Sequence, residues 1–579
     1  MSRRDRLTIS GLVAALIVVT ILVALPAGEL PAMSTPTPTD AAPTPAPTVY
    51  REGVIGAWSS LTPISARTTA DREIVSLVFS GLVRLGREGS LLPDLAADWK
   101  VEEDGARYTF RIRPDARWQD GEPVTAADVA FTFQTIKSRG YSGPLAGSFD
   151  EVTVTPMGAD TVIFQLSTPL GGFLYALTQP LLPAHLLEGL EPAEIATSDF
   201  ASAPVGTGPF RLAAIDDVHV ELTRVAGAAA VSDGPAVLDG GDASGGSPIP
   251  TPTPAPTAAP AGRPIDTVEL RFYPDEGALL AAYLADEVDA VAGLTPQAAG
   301  TVSQSEGTRI LRYPAASLTV VVPNQRGESI FKTLPMRRAL SLAIDRNTLA
   351  KRVALGGARR ADGLIPASSW AYDAASTPRI AFDRDAATAA LLGAGWTRGK
   401  DSWRAPGHKD ELTLTLLALD AETNPLTHAV AEAVAAAWRG IGFGVELVAV
   451  PREELGPRLQ TGEFMLTVVS LNLGLDPDLY PFLASSQART DASNVAGVQI
   501  VELDKLLARA RRPGSRADRK QAYVELQAFL SANQPLLPLL FADQLVAVRE
   551  RVQGPVPRLV AGPGDRYWDV LTWRLADVR

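Results

Sequence analysis

The residue types that most often carry out chemistry are scarce in this chain, and their spacing matches no common catalytic or metal-binding motif. The sequence has no cysteine and only four histidines, His185, His219, His408 and His428. The motifs His-Glu-x-x-His, Gly-x-Ser-x-Gly and Gly-x4-Gly-Lys-Ser/Thr are absent. A triad can be assembled from distant residues, so an enzyme stays open as an alternative. We predict that the protein is not an enzyme, and that it has no catalytic residue, cofactor or metal site.

One glycine-rich segment has part of the pattern of a phosphate-binding loop. Gly206–Phe210 reads GTGPF, but it lacks the third glycine of a dinucleotide fingerprint and any following Lys-Ser/Thr. We therefore interpret it as a turn.

The clearest structural elements lie between Phe79 and Lys137. Tyr108–Arg113 alternates apolar and polar residues, which predicts a half-buried strand. Thr125 lies three residues before Asp128, the spacing of a capping box, so a helix is expected to begin near Ala126.

Length and composition are those of an ordinary globular protein. The chain has 579 residues, of which 46% are apolar and 20% charged. Its net charge of −12 argues against nucleic acid as a partner. The absence of cysteine excludes disulfides and thiolate metal sites.

The N-terminus has the charge and hydropathy pattern of a membrane-targeting segment. Arg3, Arg4 and Arg6 precede an uncharged run from Leu7 to Gly28, which as a helix would span about 33 Å, close to the thickness of the bilayer hydrocarbon. The arginines should stay cytoplasmic, which places the rest of the chain outside. We predict that residues 1–28 form an uncleaved signal anchor; a cleaved secretory signal is the alternative.

Two tracts rich in proline and small residues cannot form a core. Residues 29–48 are predicted to be a Pro/Thr-rich linker, and residues 226–263 a disordered insert. The insert separates His219–Arg224 from Thr267–Phe272, two strand-like segments that are expected to pair. Because closure entropy grows slowly with loop length, such an insert is tolerated at a surface.

Several segments together resemble a known family. The run from Phe79 to Lys137, with "PDLAADW" and "YTFRIRPDARWQDGEPVTAADVAFTF", resembles the signature region of the family 5 extracellular solute-binding proteins, the oligopeptide, dipeptide and nickel-binding receptors of ATP-binding-cassette (ABC) importers. Gly206–Phe210, Phe331–Arg346 and Asp383–Trp396 resemble further family segments.

The resemblance implies an α/β fold: a periplasmic-binding-protein clamshell (class II), with two hinged lobes and an extra domain, here preceded by one N-terminal membrane helix. Alternating strands and helices between residues 412 and 471 independently predict an α/β lobe. We expect lobe I to comprise residues 49–78, 172–322 and 541–579, the extra domain 79–171, and lobe II 323–540.

Ligand contacts can be proposed only where the family's motifs match. The resemblance of Leu61–Pro63 to a family segment points to Arg67, Thr68 and Thr69 a few residues later. The strand ending at Pro323 points to Ser317 and Thr319 in the same way. A local structural role for each of these residues remains the alternative.

The segment Asn472–Asp478 (NLGLDPD) departs from the peptide-binding relatives. They carry an aspartate shortly before the equivalent of Asp476-Pro477, which pairs with the peptide's α-amino group. No carboxylate occupies that place here, and burying an ammonium without a countercharge is costly. Either Asp476 replaces it, beside Asn472, or the ligand is another polar solute such as a sugar oligomer.

The sequence therefore predicts an extracytoplasmic receptor of an ABC importer, which binds a peptide or similar small polar solute and delivers it to the permease and ATPase subunits. It is expected to be a monomer tethered to the cytoplasmic membrane. A ligand sensor on the same fold and a secreted hydrolase are the alternatives.

Overall fold

The computed structural model describes residues 46–86, 89–143, 145, 148–228, 262–490 and 492–576. The predicted signal anchor, most of the linker, and residues 229–261 of the insert lie outside these ranges. Within them, no helix is both long enough and apolar enough to cross a bilayer.

The strands in the described ranges are, in chain order, β1 (Val49–Ile55), β2 (Val83–Leu85), β3 (Leu91–Pro93), β4 (Ala96–Glu102), β5 (Arg107–Ile112), β6 (Val152–Met157), β7 (Thr161–Leu166), β8 (Phe210–Ile215), β9 (His219–Arg224), β10 (Arg263–Pro264), β11 (Thr267–Tyr273), β12 (Ala290–Ala292), β13 (Thr308–Pro323), β14 (Ala358–Arg360), β15 (Thr397–Arg398), β16 (Trp403–Arg404), β17 (Thr413–Leu419), β18 (Gly444–Val450), β19 (Leu466–Asn472), β20 (Leu537–Arg549), β21 (Val552–Gln553) and β22 (Arg574–Leu575).

The α-helices are α1 (Thr69–Val78), α2 (Ala126–Lys137), α3 (Phe173–Ala176), α4 (Ala184–Leu187), α5 (Pro192–Thr197), α6 (Glu276–Leu284), α7 (Pro296–Val302), α8 (Leu334–Leu342), α9 (Arg346–Thr348), α10 (Arg384–Gly393), α11 (Pro425–Gly440), α12 (Arg452–Thr461), α13 (Tyr480–Leu483), α14 (Val501–Ala510) and α15 (Arg516–Asn533). Single turns of 3-10 helix cover Glu103–Gly105, Asp199–Ala201, Ile330–Lys332, Ser485–Gln487, Pro563–Tyr567 and Val570–Thr572, and Leu349–Val353 forms a π-helical turn.

Local sequence signals place several of these elements correctly. The helix expected near Ala126 begins there, and Thr125 and Asp128 form the predicted capping box, an arrangement that stabilises a helix by about 1 kcal/mol. The strands on either side of the insert pair in antiparallel register, with Thr223 opposite Thr267. Both predictions are confirmed, because each depends on short-range geometry.

One mixed sheet runs through most of the chain, in the order β18-β17-β19-β13-β20-β12-β1-β11-β9-β8, with β14 on β20. The pairs β17–β18, β17–β19, β1–β11 and β1–β12 are parallel. The long strands β13 and β20 pair antiparallel with each other. A separate sheet, β4-β5-β7-β6, packs under α2.

The apolar side chains form separate cores, which define two lobes. The first lobe is built on the core that contains Ile74, Phe110 and Phe164. The second lobe is built mainly on two cores, one around Trp438 and one around Tyr523, with a smaller cluster around Leu417. The main sheet therefore continues from one lobe into the other, whereas the buried apolar side chains form separate clusters in each lobe.

Strands β13 and β20 cross from one lobe to the other. On β13, Ala315 packs in the first lobe and Leu318 in the second; on β20, Val546 packs in the first and Phe541 in the second. The register of β13 on β20 shifts between Pro314 and Leu318. Because an irregular register lets a strand bend, this crossing is where the lobes can hinge.

Candidate functional site

The loop of residues 59–68 in the first lobe is shaped by one buried carboxylate. Asp71 accepts hydrogen bonds from the backbone N–H groups of Ser59 (2.7 Å), Ser60 (3.2 Å), Arg67 (3.0 Å) and Thr68 (2.9 Å), and from the Ser59 hydroxyl (2.7 Å). Burial alone would raise the pKa of Asp71, but these hydrogen bonds lower it below its usual value. The carboxylate therefore stays charged and holds the loop in one shape.

The three predicted ligand residues of this loop lie together at the start of α1. Thr68 is the N-cap, and its hydroxyl accepts a hydrogen bond from the Asp71 N–H. Arg67 and Thr69 are exposed. Arg67 Nη2 donates to the Ser142 carbonyl at 3.2 Å, so the arginine reaches across to the turn after α2. Exposed polar groups next to an ordered backbone can contact a solute.

The second group of predicted residues lies where β13 pairs with β19. Ser317 is directly opposite Asn472; Ser317 is half-buried and Asn472 exposed. Thr319 is only 6% exposed, and its hydroxyl lies 3.3 Å from that of Ser470. Ser317 and Asn472 can therefore be reached by a ligand at the lobe crossing, whereas Thr319 has a local partner.

The C-terminal segment contacts both Asn472 and helix α1. Asn472 Nδ2 lies 3.4 Å from the Ala561 carbonyl. The N–H groups of Ala561 (2.8 Å) and Gly562 (2.9 Å) donate to the Asp565 carboxylate. The turn that follows packs against α1, where a Cβ on Gly564 would lie 2.6 Å from Ser76 Oγ. The C-terminal segment thus contacts Asn472 on one side and, on the other, the helix α1 that Thr68 caps.

Asp476 has a partner of its own. Both of its oxygens lie 2.8 Å from Arg519 Nη2, and the two side chains are 7% and 2% exposed. Burial raises the pKa of Asp476, and the Arg519 charge offsets this only in part. The sequence suggested Asp476 as a free countercharge for a ligand ammonium; the structure shows the carboxylate already paired.

This ion pair lies where the lobes touch. Arg519 Nη1 donates to the Gly171 carbonyl at 3.2 Å, and the Gly171 N–H donates to the Arg511 carbonyl at 2.8 Å. Leu475, next to Asp476, packs against the core of the first lobe. Sequence reasoning missed Arg519 and Gly171, because no local pattern relates residues more than 300 positions apart.

A second buried charge cluster fixes the C-terminal segment to the first lobe. Arg566 Nη1 lies 2.8 Å from Glu52 Oε1, and its Nη2 lies 2.8 Å from Glu73 Oε1. Tyr50 and Tyr567 also donate to Glu52, at 2.6 and 3.1 Å. Burial raises the pKa of Glu73 to about 7; Arg566 opposes that shift and Glu52 adds to it. Glu52, Glu73 and Arg566 are all buried, so the cluster anchors the C-terminal segment to the first lobe.

In the part of the chain that the structure describes, no three His, Asp or Glu side chains form a group able to hold a metal ion. The arrangement offers polar side chains and backbone groups for binding.

Comparison with known proteins identifies the family to which the chain is similar. Residues 90–494 match the family described as "Bacterial extracellular solute-binding proteins, family 5 Middle". The chain is 28% identical over 525 residues to Protein XP55 of Streptomyces lividans, which covers 88% of this chain and 89% of that protein.

Solved structures share the fold. The oligopeptide-binding protein AppA of Bacillus subtilis, in complex with a nonapeptide, has a TM-score of 0.66 and 22% identity, covering 91% of this chain and 99% of that one. NikZ of Campylobacter jejuni, in complex with Ni(L-His), has a TM-score of 0.67 and 24% identity with the same coverage.

Proposed function

This chain belongs to family 5 of the bacterial extracellular solute-binding proteins, and we propose from that premise that it is the receptor of an ABC importer. In this role it binds a small polar solute between its lobes and delivers it, unaltered, to a membrane permease that partner ATPases power. The family is one of binding proteins, and no catalytic step is assigned to this chain.

The observation that supports this role best is the crossing of β13 and β20 between separate cores. Two lobes joined by a pair of strands can rotate while each core stays packed. A solute that contacts both lobes stabilises the closed form by its differential affinity for that form. The residues proposed to contact it are Arg67, Thr68 and Thr69 on the first lobe, and Ser317 and Asn472 at the crossing, with Thr319 behind them.

The ligand class follows from the carboxylates near Asn472. Asp476 is paired with Arg519, Asp478 Oδ2 lies 2.9 Å from Arg511 Nη2, and Asp565 accepts two backbone N–H groups. Each carboxylate is therefore neutralised or engaged by the protein. We propose that binding does not depend on a free ligand ammonium, so that N-blocked peptides and neutral polar oligomers are accepted.

Native purification followed by mass spectrometry of the released small molecules tests the receptor role. An intact solute that rebinds with 1:1 stoichiometry in calorimetry supports it. Conversion of that solute during incubation with the protein contradicts it.

A matched pair of peptides tests the ligand class. A tripeptide and its N-acetylated form should bind with dissociation constants within about threefold, because a threefold ratio corresponds to only about 0.65 kcal/mol. A loss of a hundredfold on acetylation would show that an ammonium is recognised.

The location outside the cytoplasm follows from the family, and we further propose that the chain is tethered to the membrane. The support is the uncharged run from Leu7 to Gly28 behind three arginines. Membrane fractionation of cells that express the full chain tests this: the protein should resist carbonate extraction and yield to detergent. N-terminal sequencing that begins after residue 28 would instead show a cleaved signal.

A further inference from the structure

The second lobe contains a partly enclosed cavity of about 190 Å³ that none of the residues proposed for the interlobe site lines. It lies between the end of α8, the loops around residues 362–364 and 377–381, the end of α15 and the start of β20. A cavity of about 150 Å³ is enough to hold benzene. The volume therefore suits a compact molecule of about six to nine non-hydrogen atoms.

The wall of the cavity combines apolar and polar side chains. Leu342, Leu364, Leu530 and Leu536 line it, and three of these leucines are buried in the fold. Such a wall can hold the apolar part of one small organic molecule against the leucines while the polar side chains bind its charged groups.

Two arginines bring positive charge to this cavity. Arg338 lines it, and its exposed side chain makes no hydrogen bond or ion pair with any described residue. Arg379 lines it too, and its Nη2 donates to Asn347 Oδ1 at 3.2 Å. Guanidinium groups are the usual protein partners of a carboxylate, so a ligand carboxylate fits this side.

A side-chain oxygen without a hydrogen-bond donor and a carboxylate also line the cavity. Gln534 Oε1 is shielded from solvent and has no hydrogen-bond partner among the described atoms, although Gln534 lines the cavity. Asp362 lines it as well, with its carboxylate held by Arg360 and by the Ile380 N–H at 2.9 Å. An ammonium placed here would give Gln534 the donor that it lacks.

The backbone at Gln534 adds an independent observation. This residue caps α15 in the left-handed region, with φ 46° and ψ 55°, a place that glycine normally takes because other residues are strained there. A strained non-glycine residue is often kept for what its side chain does. Here the strained position carries the side chain whose oxygen is unpartnered in the cavity.

From these observations we infer that the cavity is a binding site for an apolar α-amino acid. Its carboxylate meets Arg338 and Arg379, its ammonium meets Gln534 Oε1 near Asp362, and its side chain packs on the leucines. The site is separate from the interlobe contact, because Arg519 and Leu530 are eleven residues apart on α15, about 16 Å along a helix.

Calorimetry of the full chain with L-valine tests the inference. Two analogues test the two charged groups of L-valine separately. 3-Methylbutanoate lacks the ammonium, and isobutylamine lacks the carboxylate. Each analogue should bind about 10- to 100-fold more weakly than L-valine, as expected when a hydrogen bond to a charged group is lost. Equal binding of L-valine and both analogues would overturn the assignment.

Two arginine variants test whether L-valine binds in this cavity. Arg338→Ala should weaken L-valine binding about 10- to 100-fold, whereas Arg352→Ala, which removes an exposed arginine that does not line the cavity, should leave it unchanged. L-valine that binds equally well to Arg338→Ala occupies another place, such as the interlobe cleft, and contradicts the proposal.

Gln534→Gly separates binding from folding. This substitution relieves the left-handed strain, so the melting temperature should stay the same or rise, while L-valine binding weakens severalfold. Retained affinity in this variant would remove Gln534 from the site. A crystal grown with L-valine in which water alone fills the cavity would overturn the inference as a whole.

Discussion

Asp476 and Arg519 form a buried ion pair, with both carboxylate oxygens 2.8 Å from one guanidinium nitrogen, at the place where the two lobes meet. Arg519 also donates to the Gly171 carbonyl, so the pair connects the second lobe to the backbone of the first. The aspartate that looked available for a ligand is thus part of the contact between the lobes.

Replacing Asp476 by Asn should destabilise the protein. The change leaves Arg519 buried without its countercharge, which costs about 3–5 kcal/mol. Urea denaturation monitored by tryptophan fluorescence measures this loss. As a control, Glu454→Ala removes a half-exposed ion pair with Arg458 and should change the unfolding free energy by less than about 1 kcal/mol. Wild-type stability of Asp476→Asn would show that the pair is dispensable.

Gly172→Ala should weaken ligand binding by holding the lobes apart. A Cβ on Gly172 would lie 2.1 Å from Asp476 Oδ2, and Arg519 prevents that carboxylate from moving away. If opening the contact costs about 1.4 kcal/mol, the dissociation constant rises about tenfold. Calorimetry with the purified solute measures the affinity, and X-ray scattering should show a larger radius of gyration in its presence.

The control for Gly172 is Gly456→Ala in α12. A Cβ at Gly456 meets nothing within 4 Å, and alanine favours a helix. Equal affinities of the two alanine variants would argue that the contact at Gly172 does not resist closure.

The stability of the first lobe should depend on pH through Glu73. Its pKa is raised to about 7 by burial, with Glu52 adding to the shift and Arg566 opposing it. Because the folded state binds the proton more tightly than the unfolded state, the stabilisation is complete at low pH. It is lost as pH rises from about 4.5, the usual value, to about 7.

The test compares urea unfolding at several pH values for wild type and Glu73→Gln. The substitution should flatten the slope between these pH values, since the amide does not titrate. Glu432→Gln alters a glutamate that is 63% exposed and should leave the slope as it is. An unchanged slope in Glu73→Gln would assign the pH dependence to other groups.

Ser317→Ala and Asn472→Ala should each weaken solute binding without unfolding the protein. Each removes one polar group at the lobe crossing, and a typical hydrogen bond contributes about 0.5–1.5 kcal/mol, which corresponds to about a 2- to 12-fold change in the dissociation constant. Ser470→Ala, whose hydroxyl lies 3.3 Å from that of Thr319, is the neighbouring control. Full affinity in both Ser317→Ala and Asn472→Ala would exclude this crossing as a ligand surface.

Several parts of the fold were predictable from sequence because their causes are local. The capping box of Thr125 and Asp128 and the strands on either side of the insert were predicted correctly, since hydrogen bonds and side-chain alternation act over a few residues. The resemblance of residues 79–137 to a family also led to the correct fold class, with an α/β sheet and two lobes.

The site was harder to predict because its parts meet only after folding. The sequence singled out Asn472–Asp478 as unusual, and the structure places that segment at the contact between the lobes. No sequence pattern indicated that Asp476 would pair with Arg519, or that Gly172 would lie against that carboxylate.

The sequence alone thus determined the family, the lobed α/β fold and the lack of a common catalytic motif, because these depend on local patterns and residue types. Only the tertiary structure decided which carboxylates are free, which are neutralised, and which arginines neutralise them. The physical reason is that pairing and burial depend on residues brought together from distant parts of the chain, and these set the charge that a ligand meets.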